Sequence, residues 1–89
     1  MSEALSFTTA HLAERDAAIL DFEDSWYEST VPKDQAIMER FSCSSARYYQ
    51  QLNALLDQPE ALAYKPLLVK RLRRMRSQRQ AARSARRLH

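Results

Sequence analysis

The chain reads as an all-α protein: a small helical domain of four to five helices, with a helix-turn-helix and a projecting basic C-terminal helix. Three observations predict this. Apolar residues recur at helical spacing, and no segment alternates over the length of a strand. Glycine is absent from all 89 residues, which removes the residue that tight hairpin turns need for positive φ. The prolines Pro32, Pro59 and Pro66 fall where helices would begin.

Residues 1–11 (MSEALSFTTAH) lack periodicity and read as a loose leader. From Leu12 to Glu28 the pattern becomes helical. At about 100° per residue, Leu12, Ile19, Phe22 and Trp26 share one stripe, with Glu14, Asp21, Asp24 and Glu28 on the opposite face. Ser29-Thr30-Val31-Pro32 is a break, with Thr30 the expected cap and Pro32 a first-turn residue. The next helix, Lys33 to Phe41, offers Ile37 and Phe41 to a core. Ser42-Cys43-Ser44 connects it to a helix from Ser45 to about Leu56, capped by Ser44, with Tyr48, Leu52 and Leu55 or Leu56 inward. Asp57 and Pro59 restart the chain for a short turn, Glu60 to Tyr64. Pro66 opens the last helix, whose packing stripe of Leu68, Leu72 and Met75 ends at Met75. The expected organisation is a leader at 1–11, a helix-turn-helix domain at 12–75 and an arginine-rich extension at 76–89.

Charge divides the chain more sharply than its net +3 suggests. Residues 1–64 hold all eleven acids against four bases, whereas residues 65–89 hold ten bases and no acid. Such a block needs an external anion. Beyond Met75 the apolar arc of the last helix becomes cationic, because Arg76, Arg79, Arg83, Arg86 and Arg87 fall within roughly the same 100°. Unpaired guanidinium groups cannot be buried, so this segment is expected to leave the body. Lys70, Arg73 and Arg74 would extend the patch on earlier turns. The block could instead be a solvated face, or pair with the acidic first helix. Its lack of interleaved glutamate and its arginine bias favour phosphate. The opposite face (Ser77, Gln78, Ala81, Ser84, Ala85) is too weakly apolar for a lipid surface.

Two short helices joined by a three-residue turn, the second capped by serine, form the local pattern of a helix-turn-helix. Phe41, Ser42, Cys43, Ser44, Tyr48 and Leu52 fill its template. Ser42 stands where glycine is usual, and Met38 where alanine lets the helices approach. In a major groove the second helix would present Ser45, Ala46, Arg47, Tyr49 and Gln50 to DNA. Arg47 can donate bidentately to guanine and Gln50 can read adenine. Ser44 and the free amides of the first turn favour a phosphate. Tyr49 is equally readable as a core aromatic.

No catalytic or cofactor-binding pattern emerges, and the expectation is a protein that is not an enzyme and carries no cofactor or metal. P-loops and dinucleotide fingerprints need glycine. His11 and His89 sit far apart, outside any metal-ligand spacing. Asp21, Glu23 and Asp24 read as an exposed acidic face, and Cys43 as a packed, inert thiol. Phosphorylation of Ser42, Ser44 or Ser45 would repel DNA, but no kinase context supports it. Apolar runs fall far short of the roughly twenty residues of a membrane span. Met-Ser-Glu opens no secretion signal, and the lone thiol suits the cytosol.

Several strings resemble one short actinobacterial family catalogued as a domain of unknown function with a helix-turn-helix. They are Ala18-Ile19-Leu20-Asp21-Phe22-Glu23, Ser45-Ala46-Arg47-Tyr48-Tyr49-Gln50 with Leu52-Asn53-Ala54-Leu55, and Pro59-Glu60-Ala61-Leu62. Leu68-Val69-Lys70-Arg71-Leu72-Arg73-Arg74 and Ala82-Arg83-Ser84-Ala85-Arg86-Arg87 complete the resemblance, which covers roughly residues 12–88. Members described as nucleoid-associated DNA-binding proteins imply cytoplasmic, nucleoid-localised DNA binding. The resemblance supplies no map of site residues. The combined expectation is binding of double-stranded DNA with limited sequence preference. The alternatives are a sequence-specific transcription regulator and a protein-interaction adaptor of the transcription machinery. A homodimer and an acidic protein partner are further candidates.

Overall fold

A computed structural model describes residues 12–87. The chain is all-α, with five helices and no strand among those residues. Helix α1 spans Glu14–Ser25 and runs into a 3-10 turn at Trp26–Glu28; α2 is Lys33–Phe41, α3 Ser45–Leu56, α4 Pro59–Tyr64 and α5 Pro66–Arg87. His11, His89 and the leader lie outside the described residues.

The inward stripes of α2 and α3 are those expected. Ala36, Ile37 and Phe41 from α2 meet Tyr48, Leu52, Leu55 and Leu56 from α3 in the core. Helix α1 adds Ile19, Leu20 and Phe22, α4 adds Ala61, and α5 adds Leu68 and Val69. Phe22, Phe41 and Tyr48 form an aromatic centre, with ring centroids 5.4–5.7 Å apart. Edge and tilted contacts of this kind add roughly 0.5–1.5 kcal/mol per pair beyond their burial.

The α2–α3 turn forms without glycine. Ser42 takes the left-handed conformation (φ 56°) and so stops α2, a geometry that glycine adopts without steric cost. The Ser44 hydroxyl accepts the Arg47 amide at 3.2 Å, as its capping role requires. Ser45 Oγ donates to Asp34 Oδ1 at 2.7 Å and pins the start of α3 to that of α2. Met38, which departs from the usual template, is exposed, while the smaller Ala36 is buried at the core. Cys43 is partly buried against the core.

The first helix departs from its sequence reading in three ways. Trp26 was expected in the core but is 36% exposed. The backbone tightens into the 3-10 turn at that residue, so a helical projection at about 100° per residue no longer applies. Glu23 was expected on an exposed acidic face but is only 8% exposed. It accepts a 2.5 Å hydrogen bond from the Tyr48 hydroxyl and a 3.0 Å ion pair from Lys33. Thr30 does not cap α2; Pro32 occupies that position, without a side-chain bond.

Helix α5 begins packed and ends in solvent. Leu68 and Val69 are buried and Leu72 is partly so, but Met75 is already 39% exposed. Residues 77–85 are all exposed, although the helix continues unbroken.

Candidate nucleic-acid interface

Helix α3 buries one side against the core and leaves Ala46, Arg47, Tyr49, Gln50, Asn53 and Ala54 exposed. Of the residues expected to face DNA, Arg47 and Gln50 therefore stand in solvent. Ser44 and Ser45 are held in internal bonds, the first as a cap and the second to Asp34. Tyr49 is exposed but not free of contacts. Its ring packs edge-on against Tyr48, with centroids 5.2 Å apart, and Lys33 Nζ lies 5.0 Å over it.

Two of the expected arginines hold α5 against α3. Arg73 Nε donates to the Leu56 carbonyl at 2.6 Å, and Arg76 Nη1 to the Asn53 carbonyl at 3.2 Å. The last carbonyls of a helix lack intrahelical partners, so guanidinium groups from α5 complete the end of α3. Arg76 Nη2 also bonds Asp57 Oδ1 at 2.7 Å. That hydrogen bond, more than the charges of Arg76 and Arg73, holds the Asp57 carboxyl below its usual range. The cationic arc therefore starts one turn later than the sequence implied.

Past that clamp, α3 and α5 flank a polar groove of about 530 Å³, to which Asn53, Ala54, Arg79 and Arg83 contribute. Arg79 and Arg83 are exposed and make no ion pair among the described residues. Arg86 and Arg87 belong to the same helix, but their side chains lie outside the described set. Lys70 and Arg74 are exposed, but line none of this groove. At about 100° per residue they sit roughly 140–180° around α5 from Arg79. Asn53 and Ala54 were missed by sequence reading. Both fall on the α3 face of Gln50 when the helical projection is carried one turn further.

A second groove, of about 360 Å³, opens between α3, the end of α1 and the packed half of α5. Trp26 and Tyr49 stand beside it, with the Lys33 ammonium 4.8 Å from one ring and 5.0 Å from the other. Its carboxylate, Glu23, is the one paired with Lys33 and Tyr48. Burial, and then the bonded Glu23, push the Tyr48 phenol far above its usual range.

Among the described residues, no group of three or more His, Cys, Asp or Glu is placed to hold a metal. No described helix is long and apolar enough to cross a membrane. No curated protein and no solved structure matches the chain. One family does match, over residues 11–84, which include the whole core, the Ser44-capped turn and the clamped part of α5. The chain belongs to that family, the proteins of unknown function grouped as DUF3263.

Proposed function

We propose that this is a binding protein rather than an enzyme, and that it binds double-stranded DNA with limited sequence preference as a nucleoid-associated, architectural factor in the cytoplasm. The α2–turn–α3 unit serves as the helix-turn-helix, and residues past Arg76 serve as the arginine-rich extension. One observation carries the reading. The exposed arginines Arg79 and Arg83 line the same groove as Asn53 and Ala54 of α3, and its carboxylate, Asp57, is already neutralised by Arg76. A helix that reaches bases and a row of phosphate-binding cations would thus meet one duplex from one side. Arg47 and Gln50, exposed on α3, are the base-reading candidates.

A salt titration on one random duplex tests this, comparing the full chain with a chain ending at Gln78. That cut keeps Arg73 and Arg76, which clamp α3. It removes Arg79, Arg83, Arg86 and Arg87. At roughly 0.9 per phosphate contact, the slope of log K against log salt should fall by up to about 3–4 units. The melting temperature should stay nearly constant, because residues 79–85 are exposed and belong to no part of the core. Coincident slopes would refute the reading.

A further inference from the structure

The groove beside Trp26 and Tyr49 has a chemistry that the nucleic-acid reading does not use. Its floor includes Leu72 and Met75, and Arg71 and Arg79 line it as cations. Met75 is 39% exposed and Trp26 36%. Arg71 makes no ion pair among the described residues, and the carboxylate in the groove, Glu23, is neutralised by Lys33. The Lys33 ammonium lies over both aromatic rings and blocks a nucleobase from stacking between them. An aliphatic and thioether floor below unpaired cations suits an aromatic or aliphatic side chain beside a carboxylate.

The chain carries such a side chain next to the groove. Tyr27 is 69% exposed on the 3-10 turn, and its neighbour Trp26 lines the groove. Glu28 follows Tyr27 in sequence and makes no ion pair among the described residues, whereas Asp24 is held by Lys65 at 3.1 Å. We propose that the chain pairs with a second copy of itself about a two-fold axis, Tyr27 of each copy entering the groove of the other while Glu28 meets Arg71. A knob beside its own socket makes a self-complementary patch, which a two-fold interface requires. Tyr, Trp and Arg, the side chains that dominate interface energies, meet there. The proposal rests on Tyr27, Glu28 and Arg71, none of which the nucleic-acid reading uses.

Sedimentation equilibrium of the full chain without DNA, from micromolar to millimolar concentration, tests it. The expected result is a dimer that weakens as salt rises. Tyr27→Ala and Arg71→Glu should each raise the dissociation constant about tenfold or more. Adding Glu28→Arg to Arg71→Glu should recover much of that loss, because the charges are exchanged and not removed. All three side chains are exposed, so each variant should melt as the parent does, and a melt of each checks this. A monomer at every concentration overturns the proposal and leaves the groove to another acidic partner. A dimer indifferent to Tyr27→Ala and Arg71→Glu overturns it too, and growth beyond the dimer overturns the two-fold arrangement.

Discussion

Replacing Tyr48 with phenylalanine deletes one oxygen from the centre of the molecule and keeps the ring that packs on Phe22 and Phe41. The lost hydroxyl donates to Glu23 at 2.5 Å. A hydrogen bond to a charged, buried acceptor contributes about 1.5–3 kcal/mol. For a chain of this length total stability is about 4–13 kcal/mol, so the loss is a large share. A loss of 2 kcal/mol lowers the melting temperature by about 8–16 °C in a domain this small. Thermal melts followed by circular dichroism at neutral pH measure it. Removing the acceptor as well, in Tyr48→Phe/Glu23→Leu, should cost less than the two single changes added together, because no carboxylate is then left buried. Alkali gives a second reading. The folded phenol titrates above its unfolded value, so its contribution is complete below about pH 10 and falls above it by about 1.4 kcal/mol per pH unit. Tyr64 and Lys65 are shifted in the same direction, but both proteins retain them. The parent should therefore lose stability more steeply than Tyr48→Phe above pH 10. A variant melting within about 2 °C of the parent, with the same alkaline profile, would show that the Tyr48–Glu23 bond contributes nothing.

Two further outcomes are expected. Arg47→Ala/Gln50→Ala should keep its helical circular dichroism and lose about 1–3 kcal/mol of DNA affinity for each base contact removed; unchanged affinity in a mobility-shift titration would move the interface off this face of α3. Ser42→Gly should raise stability by about 0.5–1 kcal/mol, since the left-handed conformation costs a non-glycine residue about 1–2 kcal/mol and glycine's extra chain entropy returns about half of that. A lower denaturation midpoint for Ser42→Gly would contradict the conformation assigned to this residue.

What was legible in the sequence was local. The Ser44 cap, the three-residue turn and the inward positions of α2 and α3 depend on spacing within one or two turns, and they stand where the pattern put them. Trp26 misled because the α-helix gives way there to a 3-10 turn over Trp26–Glu28, and no side chain announces it. Glu23 misled for a different reason. Its burial depends on Tyr48, 25 positions away, and on Lys33, so the carboxylate looked like one more member of an acidic face. Arg76 fits the cationic arc by projection and Arg73 reads as an outward extension of it, but the carbonyls they complete belong to α3, and only packing brings the two helices together. The grooves followed the same logic, since each needs residues from two or more elements. Asn53 was the exception, because it needed only one more turn of projection.

The unbroken passage of α5 from core to solvent makes the tail a lever phased to the body. No hinge separates Leu72 from Arg83, so the Arg79 and Arg83 guanidinium groups have azimuths inherited from the buried turns. Arg87 stands about 16 Å beyond Arg76 along the axis at about 1.5 Å per residue. One neutral residue inserted after Gln78 would preserve the charge, yet rotate Arg79 and Arg83 by about 100° out of the groove they share with α3. The tail thus encodes direction as well as charge, and its register is as much a part of the surface as its arginines.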